Sequence, residues 1–332
     1  FFTISEKFLG NKIYGNLMLL GSAYQRGLLP FSLTTLLWAI ENSVPPRDIT
    51  KNLDAFRIGR VMAEQPERFE ADADQTAEEA IADKSGILRA QYGSKGDKLA
   101  RSYEELARQA VDRMSDLPTD EGRHLAIRVY DLIQYEDVAF ARRYVDLVSS
   151  VYAADDATHG YAATCAALRY LHKVMCIKDE VYVAHLLTSE EKRRRDYARY
   201  GVEPGNGDSI KYVHMNRPVF TLFGRDVEFR IRTRDWHLKL MKRMKFLRGM
   251  LPAWHRQERD FRDWYIGIVE RFSYTDEASY MRMVEALECP DEVRGYRDIR
   301  YPKMDGARLR VQKLLDARGV GQPQESVDDD DV

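Results

Sequence analysis

The sequence predicts a mainly α fold with one small β-hairpin or sheet. Along most of the chain, apolar residues recur every three or four positions, which is the period of an amphipathic helix. Between about residues 210 and 234, two stretches instead alternate every second residue and are rich in β-branched and aromatic side chains, as strands are. With 332 residues, of which 44% are hydrophobic and 31% charged, the chain has enough apolar material for a globular core.

The first 66 residues are predicted to form three helices. Ser5 is the candidate N-cap of the first helix, Ser32 of the second and Thr50 of the third. The first helix contains Gly15 and Gly21, and a glycine inside a helix lowers its stability by up to about 1 kcal/mol relative to alanine. These glycines therefore indicate close packing of another backbone against this helix.

A polar, acidic stretch at residues 64–75 is the best candidate for a linker, and a long helical region follows it. Thr119 is predicted to open a long helix over Gly122–Val151, which the sequence AADDATHG then ends. Further helices are predicted at residues 161–175, in KDEVYVAHLL, and in SEEKRRRDYARY, where Ser189 is the N-cap.

The turn-rich sequence GVEPGNGD precedes the predicted strands, SIKYVHMN and DVEFRIRTR. Helices are then predicted over Trp236–Arg248, Gln257–Phe272, Asp276–Leu287 and Gly306–Leu315. The chain ends in an acidic tail, which we expect to be disordered. We therefore divide the chain into three parts. Residues 1–66 form the first, residues 67–318 form a mostly helical domain with short strands near residues 210–234, and residues 319–332 form the tail.

Composition argues against several classes of protein. A net charge of −2 gives no general attraction to nucleic acid or to an anionic membrane. No apolar run is long enough to predict a transmembrane helix, and the start FFTISEKF lacks the features of a signal peptide. The three cysteines are too few and too scattered for a disulfide framework. We expect a cytoplasmic protein whose partners include neither nucleic acid nor membrane.

The sequence motifs of several chemistries are absent. There is no P-loop, no dinucleotide-binding glycine motif, no H-E-x-x-H metal pair and no G-x-S-x-G nucleophile elbow. There is also no cysteine cluster of the kind that holds zinc or an iron–sulfur cluster. We therefore assign this chain no catalytic residue, no cofactor ligand and no metal ligand.

The motif YVHMNRP places His214, Asn216 and Arg217 at the end of a predicted strand. A histidine, an amide and a guanidinium together suit a pocket for an anion or a carboxylate. The alternative is structural, with Asn216 and Arg217 holding a turn before the proline. These three residues are candidate pocket residues.

The motif MLPAWHR places Trp254 and His255 after a helix-breaking proline, in a loop between two helices. An aromatic ring beside a titratable ring on a loop suits a substrate pocket or an interface. Plain packing is the alternative. Trp254 and His255 complete the set of candidate pocket residues.

The stretch 230–248 is dense in lysine and arginine. Such a patch suits the phosphates of coenzyme A or of a nucleic acid, whereas a solvated face paired with acidic helices is the structural alternative. A helical module that binds RNA or another polyanion through this stretch is our alternative hypothesis for the function.

Two parts of the chain resemble 2-oxoacid:ferredoxin oxidoreductases. The first part, GNLMLLGSAYQRGLLPFSLTTLLWAIE with NLDAFRIGR, resembles the end of the gamma domain of these enzymes. The matching residues are Asn16, Leu20, Gly21, Asn52, Ala55, Phe56 and Gly59. The second part, with IKDEVYVAHL, YVHMNRPVF, LPAWHRQERDF and EVRGYRDIRYPKM, resembles the helical extension that follows the gamma domain in indolepyruvate ferredoxin oxidoreductases. The two parts stand in the order found in that enzyme and cover most of the chain.

The resemblance implies that residues 1–66 are the helical end of an α/β, gamma-type domain. It also implies oxidative decarboxylation of an aryl-pyruvate to an aryl-acetyl-coenzyme A, with thiamine diphosphate and iron–sulfur clusters as cofactors and ferredoxin as electron acceptor. The thiamine-binding signature and the ferredoxin-type cysteines are missing from this sequence. We therefore expect those cofactors on a companion subunit or on a segment outside these residues.

On this interpretation the chain is a non-catalytic part of an oligomeric enzyme, inactive alone. It supports assembly of the enzyme, and His214, Arg217, Trp254 and His255 form part of the wall of the active site. The first helix would be apolar and contain glycines because it packs on a sheet that belongs to residues outside this sequence.

Overall fold

The computed structural model describes residues 1–66, 69, 75–216, 219–222, 225–228, 231–251, 254–295 and 297–316, with the segment 213–233 described as backbone only. The fold is mainly α, as the sequence predicts. The chain divides into two compact units, residues 1–74 and residues 75–332. The boundary lies at the end of the acidic stretch that we interpret as a linker. The predicted disordered tail, 319–332, lies outside the described residues.

In the part of the first unit that the structure describes, there are four α-helices. They are α1 (Phe2–Leu9), α2 (Gly15–Gln25), α3 (Leu33–Ser43) and α4 (Ile49–Glu64).

One of the three predicted N-caps in this unit is confirmed. The Ser32 side chain accepts a hydrogen bond from the Thr35 N–H at 3.1 Å and so begins α3. The prediction for Ser5 is wrong, because Ser5 lies inside α1 and its hydroxyl donates to the Phe2 carbonyl at 2.9 Å. The prediction for Thr50 is wrong as well, because a 3₁₀ turn at Pro46–Asp48 lets α4 begin one residue before Thr50.

The glycines of the first unit allow two helix backbones to meet. A Cβ added at Gly21 would lie 2.0 Å from the carbonyl oxygen of Phe56, and one added at Gly59 would lie 1.9 Å from that of Met18. Helices α2 and α4 therefore cross at a distance that a β-carbon at either position would prevent. The expectation that the glycines of the first helix pack on an absent sheet is wrong, because Gly21 packs on α4 and Gly15 packs on the ring of Phe2, both within this chain.

The second unit begins with a series of helices, the first five of which pack around one large apolar core. They are α5 (Ala77–Tyr92), α6 (Ser94–Arg113), α7 (Thr119–Tyr135), α8 (Val138–Ala154), α9 (Ala162–Met175), α10 (Glu180–Leu187) and α11 (Glu190–Tyr200). The predicted cap at Ser189 is confirmed, since its hydroxyl accepts from the Lys192 N–H at 3.2 Å.

The single long helix predicted over Gly122–Val151 is two helices. Asp137 stands between α7 and α8, and its carboxylate accepts the Phe140 N–H at 2.8 Å. A side chain that caps a new helix competes with continuation of the old one, so the chain turns there although the apolar period runs through.

Four short strands follow, at Val213–Asn216, Val219–Leu222, Arg225–Glu228 and Ile231–Arg234. The first pairs with the fourth and the second with the third, both antiparallel. They lie in the region where the sequence predicts strands. The remaining helices are α12 (Asp235–Met241), α13 (Leu247–Met250), α14 (Arg256–Glu270), α15 (Glu277–Glu288) and α16 (Arg300–Asp316).

Buried tyrosines join the helices of the second unit. The hydroxyl of Tyr144 donates to the Leu168 carbonyl at 2.7 Å, and that of Tyr265 donates to the Leu287 carbonyl at 2.6 Å. Each ring fills the apolar core while its hydroxyl is satisfied by the backbone of a neighbouring helix. Burial raises the pKa of both phenols well above the ordinary tyrosine value. Within the described part of the chain, no helix is both long enough and apolar enough to cross a membrane.

Candidate functional site

Trp254 and His255, two of the predicted pocket residues, lie together at the wall of a cavity of about 240 Å³ in the second unit. Its other walls come from the end of α7, the start of α10, and helices α13 and α14. The lining residues are Tyr135, Glu136, Phe140, Ile177, Asp179, Arg248, Gly249, Trp254, His255, Arg259 and Arg262. Arg217 lies outside the described residues, and of His214 and Asn216 only the backbone is described, in the first strand.

His255 is held by two carboxylates. Its Nε2 lies 3.1 Å from Glu180 Oε2, and its Nδ1 lies 3.5 Å from Glu258 Oε1. Burial alone would lower the pKa of His255, but the interactions with Glu180 and Glu258 outweigh it and raise the pKa to about 9. At neutral pH the ring is therefore an imidazolium with both nitrogens protonated. It can donate hydrogen bonds but cannot accept a proton, so it is not a general base.

The backbone at His255 also has an unusual conformation. Its φ is +52°, in the left-handed region, immediately before the first residue of α14. Non-glycine residues adopt this region at a conformational cost that the surrounding contacts must offset. Here the two carboxylate contacts fix the ring and hence the entry of the chain into α14.

Arg248 is the central cation of the cavity wall. Its Nε lies 2.6 Å from Asp179 Oδ2 and its Nη2 lies 3.1 Å from Asp179 Oδ1, which is a bidentate pair. Its Nη1 donates to Glu136 Oε2 at 2.7 Å and also to the Tyr135 carbonyl. The guanidinium lies 3.9 Å from the centroid of the Tyr135 ring, which adds a cation–π contact. Burial would lower the pKa of Arg248, but the hydrogen bonds with Asp179 outweigh it and raise the pKa.

Arg259 holds the connection between α13 and α14. Its Nη1 donates to the Arg248 carbonyl at 3.0 Å and its Nη2 donates to the Leu251 carbonyl at 3.0 Å. Nη2 also donates to the Trp254 carbonyl. These carbonyls lie in and after the last turn of a short helix, where they lack intrahelical partners. One side chain from α14 thus satisfies them and fixes the loop that carries Trp254.

The charges around this cavity are therefore compensated. Arg248 and His255 face carboxylates, Arg262 Nε donates to Asp263 Oδ1 at 2.8 Å, and Arg259 binds carbonyls. Such a network fixes the relative positions of α7, α10, α13 and α14. It is suited to forming the rigid wall of a site rather than to carrying out a reaction.

Sequence patterns missed the two residues that organise this wall. Asp179 is only 2% exposed, and its Oδ1 also accepts the Tyr182 N–H at 2.7 Å as the N-cap of α10. An aspartate directly before the apolar run EVYVAHLL is an N-cap signal, and it was available in the sequence. Arg248 is one of many basic residues in the stretch 230–248, and no feature of the neighbouring sequence distinguishes it from the others.

The described side chains of the basic stretch 230–248, those of residues 234–248, are only partly exposed. Lys245 Nζ donates to the Glu136 carbonyl at 2.6 Å, and Arg248 is engaged as described above. Lys239 and Arg243 are exposed, and Lys242 is partly buried. Among the described residues, no group of three or more His, Cys, Asp or Glu side chains is arranged to hold a metal ion. The three cysteines are unbridged.

Comparison with known proteins identifies the family of the second unit. No curated protein and no solved structure matches the chain. One family model matches residues 122–313, which is more than half of the chain and includes every helix that lines the cavity described above. The chain therefore belongs to the family of unknown function DUF6537.

Proposed function

We propose that this chain is a non-catalytic, site-supporting portion of an indolepyruvate-type 2-oxoacid:ferredoxin oxidoreductase. The complete enzyme would convert an aryl-pyruvate to an aryl-acetyl-coenzyme A and reduce ferredoxin. Thiamine diphosphate and the iron–sulfur clusters would reside on a companion subunit or segment, and the assembly would work in the cytoplasm. The chain alone would be inactive.

The observation that carries the proposal is the ordered pair of resemblances, one in each unit. Four of the seven residues that match the gamma domain in the first unit also shape the helix crossing. Gly21 and Gly59 provide the close approach of α2 and α4, and Ala55 and Phe56 are fully buried beside it. The match therefore rests on residues that determine packing, which supports a shared local fold rather than a chance similarity of composition.

Exposed apolar side chains on the first unit agree with a role in assembly. A unit of this size rarely leaves so many large apolar side chains in water, and interfaces are where such side chains are covered. The exposed ones are Phe2, Phe8, Ile13, Leu19, Leu28, Phe31 and Trp38.

The compensated cavity in the second unit agrees with a wall rather than a catalytic centre. His255 is protonated at neutral pH and Arg248 is fully engaged, so neither offers a base or a nucleophile. The alternative, a polyanion-binding module, is less well supported because Lys245 and Arg248 of the basic stretch bind groups within the chain.

The test is co-purification from the native host. A tagged chain should bring down a brown partner that contains iron and acid-labile sulfide and that binds thiamine diphosphate. Trp38→Asp, at a side chain 63% exposed in the first unit, should reduce the yield of that partner at least about tenfold, because a charge at an apolar interface is desolvated without a counter-ion.

Trp236→Asp is the matched control, because Trp236 is 59% exposed but belongs to the second unit and not to the exposed apolar set of the first. It should leave the yield of partner unchanged. A chain that purifies colourless and alone from its native host, or that instead carries nucleic acid with it, would contradict the proposal.

A further inference from the structure

A second cavity in the same unit is larger, about 700 Å³, and lies where α5 and α7 end and α8 begins. One part of its wall is apolar, from Leu99, Ile133, Val138 and the ring of Tyr92. Its volume lies within the range of cavities that bind small organic molecules in proteins. The apolar part therefore suits the body of such a molecule.

Other residues in the lining of this cavity are cationic. Lys242, Arg243 and Lys245 line it together with His185, which is 6% exposed. Across the described residues, none of these three basic side chains forms an ion pair within 4 Å, although Lys245 donates to the carbonyl of Glu136. Three positive charges thus line the cavity together with the carboxylates of Glu136 and Asp137, so its lining carries an excess of positive charge that would attract an anion.

The carboxylates nearest to these lysines are engaged elsewhere. Glu136 accepts from Arg248 Nη1 at 2.7 Å, and Asp137 accepts the Phe140 N–H at the start of α8. The side-chain amide of Gln91 also lines the cavity, and both its polar atoms are shielded from solvent without a hydrogen-bond partner in the described part of the chain. Buried polar atoms of this kind ordinarily find a partner in the protein, in water or in a ligand.

The titration of the cationic groups agrees with this geometry. Burial lowers the pKa of Lys245 to about 8, although Glu136 and the other nearby carboxylates oppose the change. Burial also lowers the pKa of Lys242, and the charges of Lys239, Arg243 and Arg193 lower it further. Burial thus destabilises both ammonium groups, and a bound anion would oppose that effect.

We propose that this cavity binds a small organic anion with an apolar body. Its acidic group, a carboxylate or a phosphate, would lie against Lys242 and Lys245, and its body against Tyr92, Ile133 and Val138. This goes beyond the proposed function, since the site belongs to the second unit alone and needs no companion subunit. The two proposals can therefore fail separately.

The test uses calorimetric titration of the full chain with naphthoate, a carboxylate on a flat apolar body, and with the neutral naphthamide as its isostere. We expect saturable binding of naphthoate with a Kd below about 1 mM and at least about tenfold weaker binding of naphthamide, because hydrogen bonds to charged groups are lost with the carboxylate. Inorganic phosphate should compete with naphthoate, since it would occupy the position of the acidic group.

Substitutions of lysines in and near the cavity test whether naphthoate binds there. Lys242→Met should weaken naphthoate binding at least about tenfold, whereas Lys242→Arg should restore most of it. Lys239→Met is the matched control: this lysine is exposed on the preceding helix and outside the cavity lining, and its loss should change the Kd by less than about twofold because solvent screens its charge. Far-ultraviolet circular dichroism and melting curves verify that each variant is folded.

The affinity should also fall as the pH rises from 7 to 9, because Lys245 loses its proton over that interval. The charged groups near Lys245 are the carboxylates of Glu136, Asp137 and Asp179 and the cation of Arg248. His185 also lines the cavity, and burial lowers its pKa to about 4, so its ring is neutral throughout this interval. Absence of saturable naphthoate binding, equal binding of naphthamide, or undiminished binding to a folded Lys242→Met variant would each overturn the proposal.

Discussion

Asp179 connects three parts of the second unit through a single buried carboxylate. It caps α10 through the Tyr182 N–H and pairs in bidentate fashion with Arg248, which in turn reaches Glu136 at the end of α7. A charge taken out of water requires a partner of opposite sign in good geometry. The position of α13 is therefore set by the pairing of Arg248 with Asp179.

Removing Arg248 should destabilise the protein strongly. We expect Arg248→Met to lower the free energy of unfolding of the second unit by about 3–5 kcal/mol, because the Asp179 carboxylate is then buried without its partner. Urea unfolding followed by circular dichroism measures this.

Arg294→Met is the control for Arg248→Met. Arg294 also pairs with one aspartate through two hydrogen bonds, of 2.9 and 2.7 Å to Asp291, but its side chain is 68% exposed. It should change stability far less than Arg248→Met does, because an ion pair exposed to solvent contributes little. Equal effects of the two substitutions would show that the buried pair has no special role.

The pKa of His255 predicts a pH dependence of stability. In the folded state this pKa is raised to about 9, above the unfolded value near 6.5. The protonated ring therefore contributes its full stabilisation of the folded state below about pH 6.5, and this stabilisation is lost as the pH rises to about 9. His255→Asn, which tolerates the left-handed backbone, removes the titrating ring.

The difference in unfolding free energy between wild type and His255→Asn should shrink by on the order of 3 kcal/mol between pH 6 and pH 10. Parallel urea titrations of the two proteins across that interval measure it. A difference that stays constant with pH would show that the ring does not gain protons on folding.

At the scale of helices, the crossing of α2 and α4 depends on glycine at both contact points. Gly59→Ala would place a β-carbon 1.9 Å from the Met18 carbonyl oxygen, so the two helices must separate. We expect a loss of about 1–3 kcal/mol and faster hydrogen exchange in residues 15–25 and 49–64.

Gly86→Ala is the matched control for Gly59→Ala. Gly86 lies within α5, and a Cβ there would meet no atom within 4 Å. That substitution should leave stability unchanged or raise it by up to about 1 kcal/mol, because alanine has the higher helix propensity. Unchanged exchange in the Gly59→Ala protein would contradict the tight crossing.

Helix ends could be predicted where a serine precedes an acidic first turn or an apolar helix, as at Ser189 and Ser32. They could not be predicted where the apolar period continues across a cap, as at Asp137. Periodicity alone does not show that a side chain accepts a hydrogen bond from a backbone N–H and so begins a new helix. At Thr50 the signal was present, but the proline turn before it had already started the helix.

At the scale of the whole molecule, the two units have separate apolar cores. The largest core is formed by residues after 80, whereas the cores around Met18 and Phe56 are formed by residues before 63. Mainly α architecture could be predicted from the helical period, and Trp254 and His255 from their place on a loop. The pairing of His255 with Glu180 and that of Arg248 with Asp179 could not be predicted, because contacts between distant helices leave no mark on local sequence.

These separate cores predict that residues 75–316 fold without the first unit. We expect this segment, expressed alone, to retain near-ultraviolet circular dichroism and a single cooperative melting transition, because its core is complete. Loss of the near-ultraviolet signal in the isolated segment would show that its tertiary packing depends on residues 1–74.

The close contacts that Gly21 and Gly59 each make with the backbone of the facing helix limit how the sequence of this protein can change during evolution. A bulky residue in an ordinary core is accommodated when a facing side chain becomes smaller. Here the facing atoms are the carbonyl oxygens of Phe56 and Met18, which every amino acid carries. No second substitution can make room for a larger residue at either position. During evolution, either glycine can therefore be replaced only if the packing of the two helices itself changes.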